Sequence, residues 1–271
     1  MRGYLYSLTG FGHAELFVVS CTHLRDHWDG PICVLINDTE RSSIVDELEN
    51  DERLDVTIKR IPLIKARRNT RHMATKTTMY VHTPFEKNIY LDCDTVPVGD
   101  MSELFDAPLS LTQFSNWVST QKRIARRMGR WSGISPMIED MIDHAATGQP
   151  AVNTGVLGFH KSNPDLYKWY DLAMQNVNSF LVDEIAMQLL YPSLPGVKMF
   201  TQKYNCSPTY GANEPDVRCW HFHGNRRHLK KEEGRKLWIP AFERVLKENV
   251  ANISKWAGEG DSALLTLVGK T

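Results

Sequence analysis

Across its first hundred residues the chain alternates strand-like and helix-like segments, and that order constrains the fold more than any other feature. Residues 3–9 read as a strand ending at Gly10, and residues 13–28 as a helix stopped by Gly30-Pro31. Residues 32–37 are a branched, apolar run of the kind that forms a buried strand, and Asp38-Thr39 can cap a helix over residues 40–49. Residues 54–61 alternate like a strand, and residues 73–82 read as a helix halted before Pro84. Residues 87–98 read as a further buried strand, one that ends by presenting two carboxylates. Strands and helices in this order predict an α/β fold whose mainly parallel central sheet carries helices on both faces. Ligands of such sheets sit beyond the carboxyl ends of the strands. Thr9, Asp38, Asp92 and Asp94 all fall there.

Asp92 and Asp94 are the sharpest part of that edge. Alternation along a strand would put both carboxylates on one side, with Leu91 and Cys93 on the other. Two acids aimed at one point repel unless something positive lies between them. A divalent cation meets that need, and hard oxygen ligands suit magnesium or manganese. As an isolated pair the two acids would be ordinary capping or solvated residues, so their companions matter.

The second half is less regular. Residues 109–114 and 151–159 read as strands, 163–176 and 182–191 as helices, and 197–204 and 219–223 as strands. From Pro240, a favoured first helical position, Phe242, Val245, Leu246, Val250 and Ile253 recur at helical spacing. Residues 1–230 are thus expected to form one domain and residues 231–271 a C-terminal helical extension packed on it.

Four features occur in order: Asp92-Cys93-Asp94, Asn153-Thr154-Gly155, Asp183-Glu184 and His221-Phe222-His223-Gly224. With them, residues 1–228 resemble the GT-A (Rossmann-like) glycosyltransferases, and in particular glycosyltransferase family 8, to which glycogenin and bacterial galactosyltransferases belong. The family's His-Phe-x-Gly-x-x-Lys-Pro-Trp segment is kept at His221, Phe222 and Gly224, with Arg227 in the lysine's place and His228-Leu229 for Pro-Trp. Asp183 is followed by Glu184 where the family has glutamine.

The resemblance implies a metal-dependent enzyme that moves a sugar from a nucleotide-sugar donor, a UDP-sugar, to a carbohydrate or other hydroxyl acceptor, with retention. Asp94 and His221 would ligate Mn2+ or Mg2+, with Asp92 bridging the metal and the ribose. Arg227 would join the metal in neutralising the diphosphate, and Gly224 would let backbone N–H groups approach it. Asn153 and Gly155 would border the donor sugar. Asp183 would meet its hydroxyls or the acceptor, and Asp183 or Glu184 would be the base if the reaction inverted. Thr9 and Asp38 are candidates for base and ribose, and Lys76 for a donor contact. Plainer readings stand beside these: His221 as a core histidine, Asn153 as a turn former, Asp183 as a helix N-cap, and His221 with His223 as a zinc pair completed by His228 or an aspartate. A nucleotidyltransferase and a non-catalytic nucleotide-sugar-binding protein are the competing functions. The first is weakened because Gly10-Phe11-Gly12-His13 has no basic residue close behind it.

Lys and Arg number 32 and so do Asp and Glu, which gives no global reason to expect a nucleic-acid partner. Five scattered cysteines without Cys-x-x-Cys spacing fit reduced thiols, and with no signal-like or bilayer-length apolar run they point to a cytoplasmic protein. Two basic stretches, residues 65–72 and 122–130, are either solvated faces or contacts for donor phosphates, anionic lipid at a membrane surface, or an acidic acceptor. Leu264, Leu265, Leu267 and Val268 equip the tail to dock on the chain's own body or on a second subunit as a homo-oligomer.

Overall fold

A computed structural model of the protein describes residues 1–9, 13–37, 43–67, 70–113, 150–179, 181–209, 214–223 and 232–254. In chain order the main elements are β1 (Arg2–Leu8), α1 (Ala14–Arg25), β2 (Ile32–Asn37), α2 (Ser43–Asn50) and β3 (Val56–Ile61). Next come α3 (Arg71–Lys76), α4 (Met79–His82), β4 (Lys87–Leu91), β5 (Thr95–Pro97) and β6 (Leu109–Gln113). The rest are β7 (Val152–His160), α5 (Asp165–Gln175), α6 (Val182–Leu190), β8 (Val197–Phe200), β9 (Cys219–His221) and α7 (Glu232–Glu248). Seven strands form one sheet in the order β3-β2-β1-β4-β7-β6-β8, and β5 pairs with β9 in a separate ribbon. Within the large sheet only β7 runs against its neighbours, so the expected mainly parallel sheet is what forms.

Strand alternation builds the two cores. Tyr4, Tyr6 and Leu8 of β1, with Ile32, Val34 and Ile36 of β2, face a core that includes α1 and Trp238, Phe242 and Val245 of α7. Leu5, Cys33 and Leu35 face the opposite core, closed by Ala74, Met79, Trp169 and Ile185 from the α3 to α6 helices. Burial on both faces explains why β2 is apolar almost throughout, unlike the half-exposed edge strand β3.

Local chemistry alters several expected elements. The single helix over residues 73–82 is two short helices. At the break, Thr77 and Thr78 turn their hydroxyls onto the Ala74 and Thr75 carbonyls at 2.7 Å each, competing with the helical ladder. The strand expected over residues 197–204 ends at Phe200, and Gln202–Tyr204 is a 3-10 turn. Pro240 is not the first residue of the last helix but lies inside it, because α7 begins at Glu232. Its ring forfeits one ladder bond, and the buried face of Trp238, Ala241, Phe242 and Val245 offsets that loss. Val250 and Ile253 are buried too, but beyond a break where Asn249 takes a left-handed φ of 47°. All five cysteines are buried and free. No helix among the described residues is long and apolar enough to cross a membrane.

Candidate active site

The DxD turn is placed by what precedes and follows it. β4 ends at Leu91, so residues 92–94 form a turn rather than the last stretch of a strand, and it is the turn that makes the two carboxylates converge. β5 then pairs with β9, setting Thr95 opposite His221, while Phe222 N donates to the Asp94 carbonyl at 2.8 Å. The ribbon thereby brings His221 against the acids. Its Nε2 lies 3.2 Å from Asp94 Oδ1 and 3.7 Å from Asp92 Oδ2. One ligand atom from each of Asp92, Asp94 and His221 fits within 4.8 Å of the others.

Hydroxyls hold the turn from below. Thr95 Oγ1 donates to the Asp92 carbonyl at 2.9 Å. With that proton given to a carbonyl, Ser20 must donate to Thr95 and Tyr6 to Ser20, each at 2.9 Å. A buried chain thus runs from β1 through α1 to the DxD turn.

The electrostatics of the pair are reciprocal. Burial opposes a charged His221, yet the Asp94 carboxylate and its hydrogen bond outweigh that and raise the imidazole above its ordinary value. Burial likewise favours a protonated Asp94, but the adjacent His221 wins and holds its carboxyl well below the usual carboxylate range.

Asp92 divides its two oxygens. Oδ2 faces His221, while Oδ1 accepts from Tyr90 Oη at 2.7 Å and Lys76 Nζ at 2.9 Å. Lys76 is buried, and its ammonium also reaches Asp183 Oδ2 and Thr154 Oγ1 at 3.2 Å each. An ammonium has three protons, and these partners use all of them. Lys76 is therefore a counter-ion tying Asp92 to Asp183, and it also lines the cleft. Burial alone would lower its pKa, but the two carboxylates overcome that and raise it.

Asn153, Thr154 and Gly155 are positioned by a bulge. Opposite β6 the register jumps from Leu111↔Leu157 to Thr112↔Asn153, so residues 154–156 of β7 are skipped by the ladder with β6. The bulge lets Asn153 and Thr154, sequence neighbours, both line the same cleft. Gly155 carries the Asp92 N–H on its carbonyl at 2.7 Å. A Cβ on Gly155 would lie 2.1 Å from His221 Cε1, so the bare glycine leaves the space that the histidine ring occupies.

The cleft at this edge has a volume of about 320 Å³. Thr9, Lys76, Asp92, Asp94, Asn153, Asp183, Glu184 and His221 all reach it. Asp183 is not an N-cap: that place belongs to Leu181, at a left-handed φ of 59°, and Asp183 lies in the first turn of α6. Its Oδ2 accepts from Lys76 and Thr154, whereas its buried Oδ1 has no hydrogen-bond partner among the described residues. Glu184 Oε2 accepts from Asn153 Nδ2 at 2.7 Å. The His223 ring packs on that of His221 at 4.9 Å, but the cluster among the described residues that could hold a metal ion takes only His221. Asp38, Gly224, Arg227, His228, the 122–130 stretch and the apolar tail lie outside the described residues.

Ser7, His13, His72, Thr154 and Asn205 belong to the site although the sequence did not single out their roles. His72 lines the cleft from α3, and burial lowers its pKa despite the nearby Asp183. Thr154 had a signal, since it stands within the asparagine–glycine motif. Asn205 had none: it is a lone asparagine after a 3-10 turn.

A scan against protein-family models finds no match to the sequence, and a search of curated proteins finds none either. Structural similarity is clear. The galactosyltransferase LgtC, solved with donor and acceptor sugar analogs, superposes with a TM-score of 0.55 at 16% identity, over 81% of this chain and 86% of that one. Mouse xyloside xylosyltransferase 1, in its apo form, gives a TM-score of 0.56 at 13% identity, over 83% and 99% of the two chains. The glycosyltransferase GlyE of Streptococcus pneumoniae TIGR4 gives 0.51 at 16% identity, over 92% and 65%. The chain therefore has the fold of these glycosyltransferases, as its motifs led one to expect.

Proposed function

We propose that this GT-A-fold chain is a metal-dependent glycosyltransferase that moves a sugar from a nucleotide-diphosphate donor, a UDP-sugar, to an acceptor hydroxyl with retention. The observation that carries the reading is the convergence of Asp92, Asp94 and His221 at the carboxyl edge of the sheet, within 4.8 Å of one another. Two carboxylate oxygens and one imidazole nitrogen fit a divalent cation, with Mn2+ ahead of Mg2+ because one ligand is nitrogen. These three residues would hold the metal, which supplies positive charge where the diphosphate departs.

Other parts of the cleft suit a sugar donor. The unpartnered Oδ1 of Asp183 is a buried acceptor awaiting a donor, and a sugar hydroxyl supplies one. Thr9 and Asp38, which follow β1 and β2 in sequence, are the proposed contacts of base and ribose. Gly224 and Arg227, just after His221 in sequence, are the proposed contacts of the diphosphate. Asp183 is engaged by Lys76 and Thr154, and Glu184 by Asn153, which favours a retaining course over one that needs either carboxylate as a free base.

The test is release of nucleoside diphosphate from a panel of nucleotide-sugars, with Mn2+ or with EDTA, by wild type and by Asp94→Ala. Metal-dependent release from one donor, lost in the variant, is the expected result. No turnover of any donor, together with no metal-dependent UDP binding, would overturn the proposal.

A further inference from the structure

Behind His221 lies a network of amides whose protons can be counted. Gly155 N donates to Asn153 Oδ1 at 2.8 Å, which identifies that atom as the amide oxygen. Asn153 Nδ2 points away, to Glu184 Oε2 at 2.7 Å. Asn205 Nδ2 lies 2.8 Å from Thr112 Oγ1 and 3.1 Å from Asn153 Oδ1. The Thr112 proton goes to the Val156 carbonyl at 2.8 Å, so both neighbours act as acceptors and the amino group of Asn205 has to face them. Asn205 Oδ1 is left opposite His221 Nδ1 at 2.7 Å, and an amide oxygen can only accept.

We infer that Asn205 is a positioning residue that holds His221 as its Nδ1–H tautomer, so that the Nε2 lone pair faces Asp92 and Asp94 as the metal-binding nitrogen. The inference rests on the metal reading of those three residues and extends it. Metal-ligating histidines generally give their second ring proton to an acceptor, which fixes the tautomer and ring orientation and makes the ligand more basic. In this arrangement Asn153 serves the metal centre from behind, by orienting Asn205, and Glu184 orients Asn153 in turn.

Two measurements on the full chain test it. Long-range 1H–15N NMR of the metal-free protein, at a pH where the ring is neutral, reads which nitrogen of His221 bears the proton, with the signal assigned by its loss in His221→Gln. Calorimetric titration with Mn2+ alone compares wild type, Asn205→Leu and Asn205→Asp. The proton is expected on Nδ1. Leu matches Asn in size but accepts nothing, and is expected to weaken Mn2+ binding roughly 10–100-fold. Asp still presents an oxygen to Nδ1, with its second oxygen taking the Thr112 hydroxyl proton where the amide donated, and is expected to retain clearly more of the affinity than Leu. A proton on Nε2 in wild type would overturn the inference, and so would equal losses in the two variants, which would mean that Asn205 merely packs. If wild type itself bound no Mn2+, the metal reading would fail, while the NMR result would still decide the tautomer.

Discussion

Replacing Gly155 with alanine is the smallest change that should disable the site. The added methyl carbon would lie 2.1 Å from His221 Cε1, 2.7 Å from Nδ1 and 2.8 Å from Asn153 Oδ1. Ordinary contact begins near 3.4 Å, so 3.4 less 2.1 Å requires the ring to retreat by about 1.3 Å. His221 has little room for that, since it is held at 2.7 Å by Asn205 on one side and at 3.2 Å by Asp94 on the other. Overpacking of this kind costs about 1–3 kcal/mol. For a chain of this size each kcal/mol lowers the melting temperature by roughly 2–4 °C. The functional loss should be larger than the loss of stability. A misplacement of about 1 Å in a reacting constellation can cost on the order of 10²-fold in rate, and Mn2+ affinity should fall with it. Thermal melts, Mn2+ calorimetry and donor turnover on the same preparation read all three. A Gly155→Ala protein with wild-type melting temperature and wild-type Mn2+ affinity would refute the claim that this glycine seats the histidine.

Two further predictions concern charge. Lys76→Met leaves Asp92 and Asp183 without their shared cation and should destabilise the fold by about 3 kcal/mol, the lower end of the range for breaking a buried pair, because Asp92 is 29% exposed. Adding Asp183→Asn should restore part of that in urea unfolding, and a double variant no more stable than Lys76→Met would speak against the pairing. Because the folded His221 pKa is raised, its pairing with Asp94 stabilises the metal-free protein at acid to neutral pH and is lost as pH rises through the raised value. Mn2+ must displace that proton, so its affinity should climb by about tenfold per pH unit below the raised value and level off above it. Titrations across the neutral range would check this, and a flat profile would exclude His221 as a ligand.

Periodicity made the sheet legible. The doubly buried runs of β1, β2 and β4, separated by helix-length crossovers, left few topologies open, and the DxD pair stood out because it followed such a run. Less legible were features set by side chains competing for the backbone or by distant partners. Thr77 and Thr78 break a helix that its apolar spacing favours, and Pro240 is carried within α7 by a buried face.

In the site, residue order along the chain already set the available chemistry: two acids after an apolar run, a histidine three residues before a glycine, and an asparagine–threonine–glycine run. Those are choices of residue type at short spacing, where the chain's own geometry limits the outcome. How they are used depends on the folded chain. A bulge in β7 turned Asn153 and Thr154 into one cleft, and a two-stranded ribbon carried His221 across 127 residues to Asp94. The fold also closed Lys76 inside the protein and placed Asn205 behind the imidazole. Hydrogen-bond partners far apart along the chain have no spacing to read, because they meet only once the sheet has formed.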